Sequence, residues 1–340
     1  MISIRDNISL KHLNTFGIEA RAKKFVEVTT REQLQEVIAH PVYKEQRHLI
    51  LGGGSNILFT KDFDGLVIKS SITGIKAEEQ DDDHVLVHAA SGENWHSLVM
   101  HCIKHNYGGI ENLSLIPGTV GASPIQNIGA YGVEIKDVIE SVEAIDLLTG
   151  QPKVFSNSDC RFNYRESVFK QELKEKYFIS SITLRLSRKN HQLNIQYGAI
   201  KDVLQQQHID QPTIEDVSNA VIEIRRSKLP DPLIIGNAGS FFKNPTIDVS
   251  QFETLKAQYP SIPSYPADNQ KVKIPAGWLI EQCGWKGKRF GNMGVHPQQA
   301  LVLVNYDDAK GEEIFQLAMK IQSSVKEKFD ITIHTEVNII

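Results

Sequence analysis

Hydrophobic positions change their period several times along the chain, and each change marks an element. Phe25 to Val28 reads as a strand, and Thr30 with Gln33 predicts a capping box for a helix running to His40. His48 to Leu51 predicts a second strand that runs into Gly52-Gly53-Gly54-Ser55-Asn56, and Leu66 to Lys69 closes a small α+β unit. Acidic Glu78 to Asp83 reads as a solvated turn. Alternation from His84 to Ala90 predicts a strand, followed by a helix from about Glu93 to His105. Periodicity then vanishes from Gly108 to Gly132, a stretch that also carries Gly109, Gly118, Gly121 and Gly129. Loops this long inside compact domains are commonly functional.

Ser141 to Asp146 and Val154 to Ser156 predict a hairpin around Thr149-Gly150, and Tyr177 to Leu186 a further strand. After Arg188 the pattern turns helical, over Ala199 to Gln207 and then with Ile214, Val217, Val221 and Ile224 on one face. We place the main boundary near Ser227. Beyond it, Gly236 to Pro245 is followed by a helix from Ser250 with a capping box to Glu253, and Pro275 opens another that ends at Gly284. Leu301 to Asn305 predicts a strand, Ile314, Leu317, Ile321 and Val325 a helical stripe, and Ile331 to Ile340 a last alternating strand. The fold class expected is α+β.

A chain of 340 residues with 41% hydrophobic and 23% charged positions can bury a catalytic cleft and suits two or three domains. A net charge of −4 argues against nucleic acid as a partner, which usually demands a basic face. Cys102, Cys160 and Cys283 are widely spaced and lack CxxC pairing, which suits a reducing cytoplasm and makes a cysteine-built metal site unexpected. The twelve histidines lack HExxH spacing, so no metal is expected. The first residues, with Arg5, Asp6 and Lys11, carry no signal-peptide pattern, and no run of about 18 apolar residues predicts membrane insertion.

Two glycine loops offer binding chemistry. Consecutive Gly52, Gly53 and Gly54 let several backbone N–H groups converge on one anion, although a plain tight turn explains them equally well. The loop from Ile116 to Gly132 combines glycines that allow close approach with Ser123, Gln126 and Asn127, uncharged groups suited to a ring cofactor and a diphosphate. Its alternative is a structural Ω-like loop. Two such loops in one chain favour a dinucleotide. In Gly236-Asn237-Ala238-Gly239-Ser240-Phe241-Phe242-Lys243-Asn244-Pro245, one serine sits between glycines and an aromatic pair; taken alone, a Gly-bounded strand with inward Phe side chains is the stronger reading. Arg165 beside Glu166 and Glu336 in the last strand would by themselves be read as an ion pair and a solvent-facing residue.

Together, these segments resemble the UDP-N-acetylenolpyruvoylglucosamine reductase family of flavoproteins, essentially end to end. The likeness rests on Asn14-Thr15-Phe16-Gly17, Gly52 to Asn56, Pro117 to Gly132, Tyr164-Arg165-Glu166-Ser167, Gly236 to Pro245, Ala276-Gly277-Trp278-Leu279-Ile280-Glu281 and Glu336. Gln196-Tyr197-Gly198 resembles the longer subtype, in which a tyrosine loop near residues 188–200 folds over the substrate.

The resemblance implies an FAD-binding half of the vanillyl-alcohol-oxidase/PCMH type, in subdomains 1–75 and 76–226, and a substrate-binding domain over 227–340. It implies non-covalent FAD with NADPH as co-substrate, and reduction of a UDP-sugar enolpyruvyl ether in peptidoglycan precursor synthesis. Hydride would pass from flavin N5 to C3 and a proton from Ser240 to C2. Arg165, Ser240 and Glu336 fall on the family's catalytic positions. Gly52, Gly53, Gly54, Ser55, Asn56, Gly118, Gly121, Ser123, Asn127, Gly129 and Ile179 are the cofactor candidates. Tyr197, Lys228, Asn244, Tyr265, Lys273 and Gln299 are the substrate candidates. A cytoplasmic monomer is expected. Two departures stand out: Ala122 where the family often has serine, and Asn338 where an arginine often follows the glutamate. Rival readings are another FAD-dependent oxidase or dehydrogenase of the same fold, and a flavin-free protein that binds a sugar nucleotide.

Overall fold

The alternation at Phe25 and Leu66 belongs to one four-stranded sheet, in the order Arg5–Ser9, Arg21–Val28, Phe63–Ser70, His48–Leu51. The last two strands are parallel, with Leu49 beside Val67 and Ile50 beside Ile68. Helices α1 (Arg31–Ala39) and α2 (Pro41–Glu45) bury Leu34, Val37, Ile38 and Tyr43 with Val26, Val28, Leu66 and Ile68. Full burial of one such aliphatic side chain contributes about 1.5–3 kcal/mol. Thr30 caps α1 by accepting the Gln33 N–H at 3.2 Å, but the Gln33 amide oxygen takes the N–H of Thr29 at 2.8 Å. The reciprocal bond of the predicted box therefore closes one residue early.

In this computed structural model, which describes residues 2–267 and 270–340, the chain divides into two units. The first comprises Met1–Ile8, Ala22–Gly53 and Asp64–Ser227. Besides the sheet above it holds five antiparallel strands, ordered Pro152–Ser156, Ile139–Asp146, Tyr177–Ser187, His84–Ala90, Ile75–Glu79. Glu78 and Glu79 thus belong to a strand, and the predicted acidic turn shrinks to residues 80–83. Helix α3 (Trp95–Lys104), capped by Asn94, buries Trp95, Leu98, Val99 and Cys102 in the same core as Val85, Val87 and Ile182. Helices α4 (Gly198–Gln206) and α5 (Ile214–Lys228) share a smaller cluster of Ile200, Leu204, Ala220, Val221 and Ile224.

The second unit comprises Ser9–Arg21, Gly54–Phe63 and Lys228–Ile340. Its main sheet runs Gly236–Ser240, Val302–Asn305, Met293–Val295, Arg289–Phe290. Helix α6 (Val249–Gln258) starts one residue before the predicted Ser250 cap, behind Asp248, whose side chain makes no capping bond. Helix α7 (Ala276–Gln282) follows Pro275, and the chain leaves it through Gly284 at φ +74°. Helix α8 (Gly311–Phe329) buries the predicted stripe Ile314, Leu317, Ile321 and Val325. The strands Thr246–Asp248, Lys271–Lys273 and Tyr265–Ala267 form a small sheet that no periodicity announces, because each is only three residues long. In the last ten residues Ile331 and Ile333 are buried and Thr332 and His334 exposed, as alternation predicts. Only Asn338–Ile339 is strand, however, pairing in parallel with Ile57–Leu58.

Asn14-Thr15-Phe16-Gly17 is a structural staple within this second unit. The buried Asn14 amide donates to the carbonyls of Leu10 and Ile18, and its oxygen accepts the Ile18 N–H. Thr15 N–H donates to the Gly54 carbonyl at 3.0 Å, while its hydroxyl donates to the Asn237 carbonyl at 2.6 Å and its own carbonyl accepts the Asn237 N–H. A side chain on Gly54 would strike the Leu13 carbonyl, and one on Gly236 the Phe16 carbonyl.

The cysteines test this packing. Burial pushes the Cys102 and Cys160 thiols up to about 12, leaving roughly one in ten thousand ionised at pH 8, whereas Cys283 is raised and half-exposed. Iodoacetamide at pH 8 should label Cys283 alone in the native protein, read by mass spectrometry; early labelling of Cys102 or Cys160 would contradict the described core.

Candidate active site

The two glycine loops expose backbone to one another in the first unit. A methyl built on Gly53 would lie 3.0 Å from the Gly118 Cα, and one on Gly52 would overlap the Thr119 hydroxyl. The chain following Gly118 is pinned by backbone bonds, Trp95 N–H to the Gly118 carbonyl and Gly121 N–H to the Ser91 carbonyl. Only residues without side chains permit such an approach, and glycine backbone of this kind is compatible with a diphosphate cradle. The loop residues therefore fit an FAD diphosphate. Gly54, Ser55 and Asn56 fall in the second unit. There Asn56 donates its amide to the Glu336 carbonyl at 3.4 Å, and its own carbonyl accepts both the backbone and the side-chain amide of Asn338. Asn338, where the family often has arginine, thus secures the end of the glycine turn.

Two nominated polar residues spend their side chains inside the protein. Asn127 is fully buried at φ +43°; its amide donates to a Glu134 carboxylate oxygen and to the Asn163 carbonyl, and its oxygen accepts the Lys136 N–H. Ser123, 2% exposed, donates to the Val120 carbonyl at 2.6 Å. Ile179 lies buried in the strand Tyr177–Ser187. Backbone groups of the loop, rather than the Asn127 amide, are what remain for a ligand.

Arg165 owes its position to a two-residue turn. Asn163 and Glu166 exchange both backbone bonds at 3.0 Å, with Tyr164 and Arg165 between them. Arg165 carries φ +55°, a conformation that costs a non-glycine residue about 1 kcal/mol or more. Its guanidinium donates to the Gly129 carbonyl at 2.6 Å and the Asn127 carbonyl at 3.4 Å, and lies 5.4 Å from the Tyr164 ring centre. Any side chain at Gly129 would press on it, since an added methyl would sit 2.9 Å from Nη1. Ser167 fastens the other side of the turn by donating to the Ile125 carbonyl.

Ser240 and Glu336 share a neighbourhood in the second unit. The strand Gly236–Ser240 is irregular against Val302–Asn305: Asn237 pairs with Val304 and Ser240 with Val302, so one extra residue is accommodated, next to Gly239 at φ +69°. Such bulges re-aim a side chain. Phe241 and Phe242 are buried, as the strand reading expects. Beyond them Phe242 bridges Thr335, Glu336 N–H donates to the Phe241 carbonyl and Lys243 N–H to the His334 carbonyl.

The substrate candidates divide. Asn244 accepts the Ala276 N–H at 2.9 Å at the start of α7, and Gln299 approaches Gly277, one residue further along. Tyr265 and Lys273 are cross-strand partners. Lys228 ends α5 and is exposed. Tyr197, in the first unit, is 46% exposed and meets Tyr131 edge-on at 5.2 Å. Arg225 escaped sequence reading because only the apolar stripe of α5 was periodic. Its Nε donates to the Leu115 carbonyl, and its guanidinium faces the Tyr131 phenol. Burial pulls the guanidinium below its ordinary value and lifts the phenol.

With that geometry in hand, comparison with known proteins is decisive. Residues 231–340 match the family described as UDP-N-acetylenolpyruvoylglucosamine reductase, C-terminal domain, and residues 22–155 match an FAD binding domain. The protein of that reductase name from Flavobacterium johnsoniae is 50% identical over 339 residues, covering 100% of both chains. The chain belongs to the UDP-N-acetylenolpyruvoylglucosamine reductase family. The relative from Chromobacterium violaceum is 49% identical over 336 residues, 98% of each chain. The crystal structure of a UDP-N-acetylenolpyruvylglucosamine reductase from Thermus caldophilus shares the fold with a TM-score of 0.69 at 21% identity, over 100% of this chain and 99% of that one. The α+β fold and the FAD-binding half expected from sequence stand in this reductase-family chain.

Asn127 provides the check on the loop. Asn127→Ala in flavin-stripped protein should lower unfolding stability by about 3 kcal/mol in urea, because the buried Asn127 side chain makes three hydrogen bonds that the variant loses. An unchanged midpoint would show that these bonds do not hold the loop.

Proposed function

We propose that the protein reduces UDP-N-acetylglucosamine enolpyruvate to UDP-N-acetylmuramate, for peptidoglycan precursor synthesis, as a cytoplasmic monomer. The observation that carries this reading is the 50% identity, over the full length of both chains, to a protein named for that reductase. FAD, when bound and reduced by NADPH, would supply hydride to C3 of the enolpyruvyl group. Backbone amides of Gly52, Gly53, Gly54 and Gly118 would hold the diphosphate, with Gly121, whose own N–H is bonded to the Ser91 carbonyl, and Ser55, Asn56, Gly129 and Ile179 around the rest. This keeps cofactor binding largely within 1–226 and substrate binding within 227–340 apart from Arg165 and Tyr197.

The chain's own residues then manage charge and one proton. As C3 gains hydride, negative charge develops at C2 and in the conjugated carboxylate. Arg165 donates charge-assisted hydrogen bonds to that carboxylate, and the carbonyls of Gly129 and Asn127 fix its guanidinium beforehand. Removing a preorganised donor of this kind costs about 3 kcal/mol, roughly a hundredfold in rate. Ser240 gives its hydroxyl proton to C2, forming the C–H bond, and solvent restores the hydroxyl. A weak acid suffices against so basic a carbon if it is held within about 3 Å. The bulge beside Gly239 supports that placement. Glu336 is the second group offered to the carboxylate, and it can donate a hydrogen bond there only when protonated. Asn244, Gln299, Lys228, Tyr265, Lys273 and Tyr197 bind the nucleotide and diphosphate.

Rapid-mixing absorbance separates these roles. In Ser240→Ala, flavin reduction by NADPH should keep its wild-type rate while reoxidation by the enolpyruvyl substrate slows at least about a hundredfold. Equal slowing of both half-reactions would remove Ser240 from the protonation step. Glu336→Gln, which keeps an N–H donor, should retain reoxidation within about tenfold of wild type. Near-total loss would mean that Glu336 does not work as a neutral donor.

A further inference from the structure

The segment that leads into Tyr197 is tied down by one buried amide. Asn112 lies in the short turn Glu111–Leu113 and is 1% exposed. Its two N–H groups donate to the Asn194 carbonyl at 2.8 Å and the Tyr131 carbonyl at 3.1 Å. Asn194 returns the contact, donating its side-chain amide to the Gly132 carbonyl at 3.0 Å. The three bonds join the end of the glycine loop to the residues just before Tyr197, whose ring rests edge-on against Tyr131. Ile195 and Ala199 pack with Tyr131 on the α4–α5 cluster, so the tether and the apolar contacts act on the same short stretch.

The orientation of the Asn112 amide is forced, because both of its neighbours are acceptors and a flipped oxygen would face two carbonyl oxygens. Its own oxygen is then buried without a partner among the described residues. An unpaired buried acceptor is costly, and an aliphatic residue there would avoid that cost. The amide is therefore at this position for what its N–H groups hold. Tyr131 adopts φ +49°, so the backbone that Asn112 grips is not in a relaxed conformation without it.

We propose that Asn112 is a positioning residue which, through the carbonyls of Asn194 and Tyr131, sets the place of Tyr197 and so the strength with which the sugar nucleotide is held. The inference rests on the substrate reading given above. Asn112 itself touches no substrate.

Two variants test it. Asn112→Asp replaces the donating NH2 by an oxygen aimed at two carbonyls. Asn112→Ala removes both donors without placing an oxygen against the carbonyls. Hydrogen exchange of peptides covering residues 190–198, measured without ligand, should quicken in both. The dissociation constant of the UDP-enolpyruvyl sugar, read from the flavin absorbance of oxidised holoenzyme, should rise about five- to tenfold. In a Tyr197→Ala background the Asn112→Asp change should add less than about twofold, because its effect runs through that ring. The full loss recurring in that background, or unchanged binding by folded variants, overturns the proposal. If Asn112→Asp fails to fold, Asn112→Ala decides by the same readings. A wild-type holoenzyme that does not bind the sugar nucleotide overturns the substrate reading instead, and the exchange rates alone then judge whether Asn112 positions the segment.

Discussion

Thr15 is the constraint on which the second unit depends. Its N–H holds the Gly54 carbonyl, and its hydroxyl and carbonyl hold Asn237. Three distant stretches of chain are thereby fixed at one point, and the two flanking glycines exist to let them approach. A side chain at Gly54 or Gly236 would collide with backbone carbonyls of residues 13 and 16, which no rotamer change relieves. The strand that carries Ser240 starts at this point, and the Asn305 side chain reinforces it by donating to the Phe16 carbonyl.

A second economy appears in the loop from Gly108 to Gly132. The carbonyls of Asn127 and Gly129 are the acceptors that orient Arg165, and the buried Asn127 side chain holds this part of the loop in place. One piece of backbone thus serves the loop that is proposed to receive the cofactor and the cation proposed to act on the substrate. The same loop ends at Tyr131, where Asn112 and Arg225 approach from two directions. Its lack of periodicity reflects this: each residue answers to a different neighbour, so no repeating pattern can arise.

Long elements were legible because burial imposes a period on them. The stripe of α8 and the strands His84–Ala90 and Tyr177–Ser187 could be read from single residues, and the hairpin at Thr149-Gly150 from its turn. Elements made by tertiary pairing were not. The three-residue strands around Lys273 carry too few positions for alternation, and the alternating end of the chain is mostly extended backbone with only Asn338–Ile339 laddered. At the candidate site the residue types were visible but their duties were not. Asn127 advertised itself as a ligand group and proves to be satisfied internally, while Asn112 and Arg225 gave no signal because their importance lies in carbonyls they reach across sequence. Arg165 and Glu336 needed the family resemblance to be singled out at all, since an arginine beside a glutamate and an acid in an alternating strand have commoner explanations.

The pairing of Asn338–Ile339 with Ile57–Leu58 bears on how the protein is made. Ile340 accepts hydrogen bonds from both the N–H and the hydroxyl of Thr60, a partner 280 residues earlier. At a synthesis rate of about 5–20 residues per second, residues 54 to 60 must wait roughly 15 to 60 seconds for these partners. During that interval Ile57, Leu58 and Phe59, all buried in the finished fold, lack their final cover. The nascent chain therefore carries an apolar strand edge until residues 338–340 have been made, and chaperone demand should concentrate on residues 54–60 during that interval.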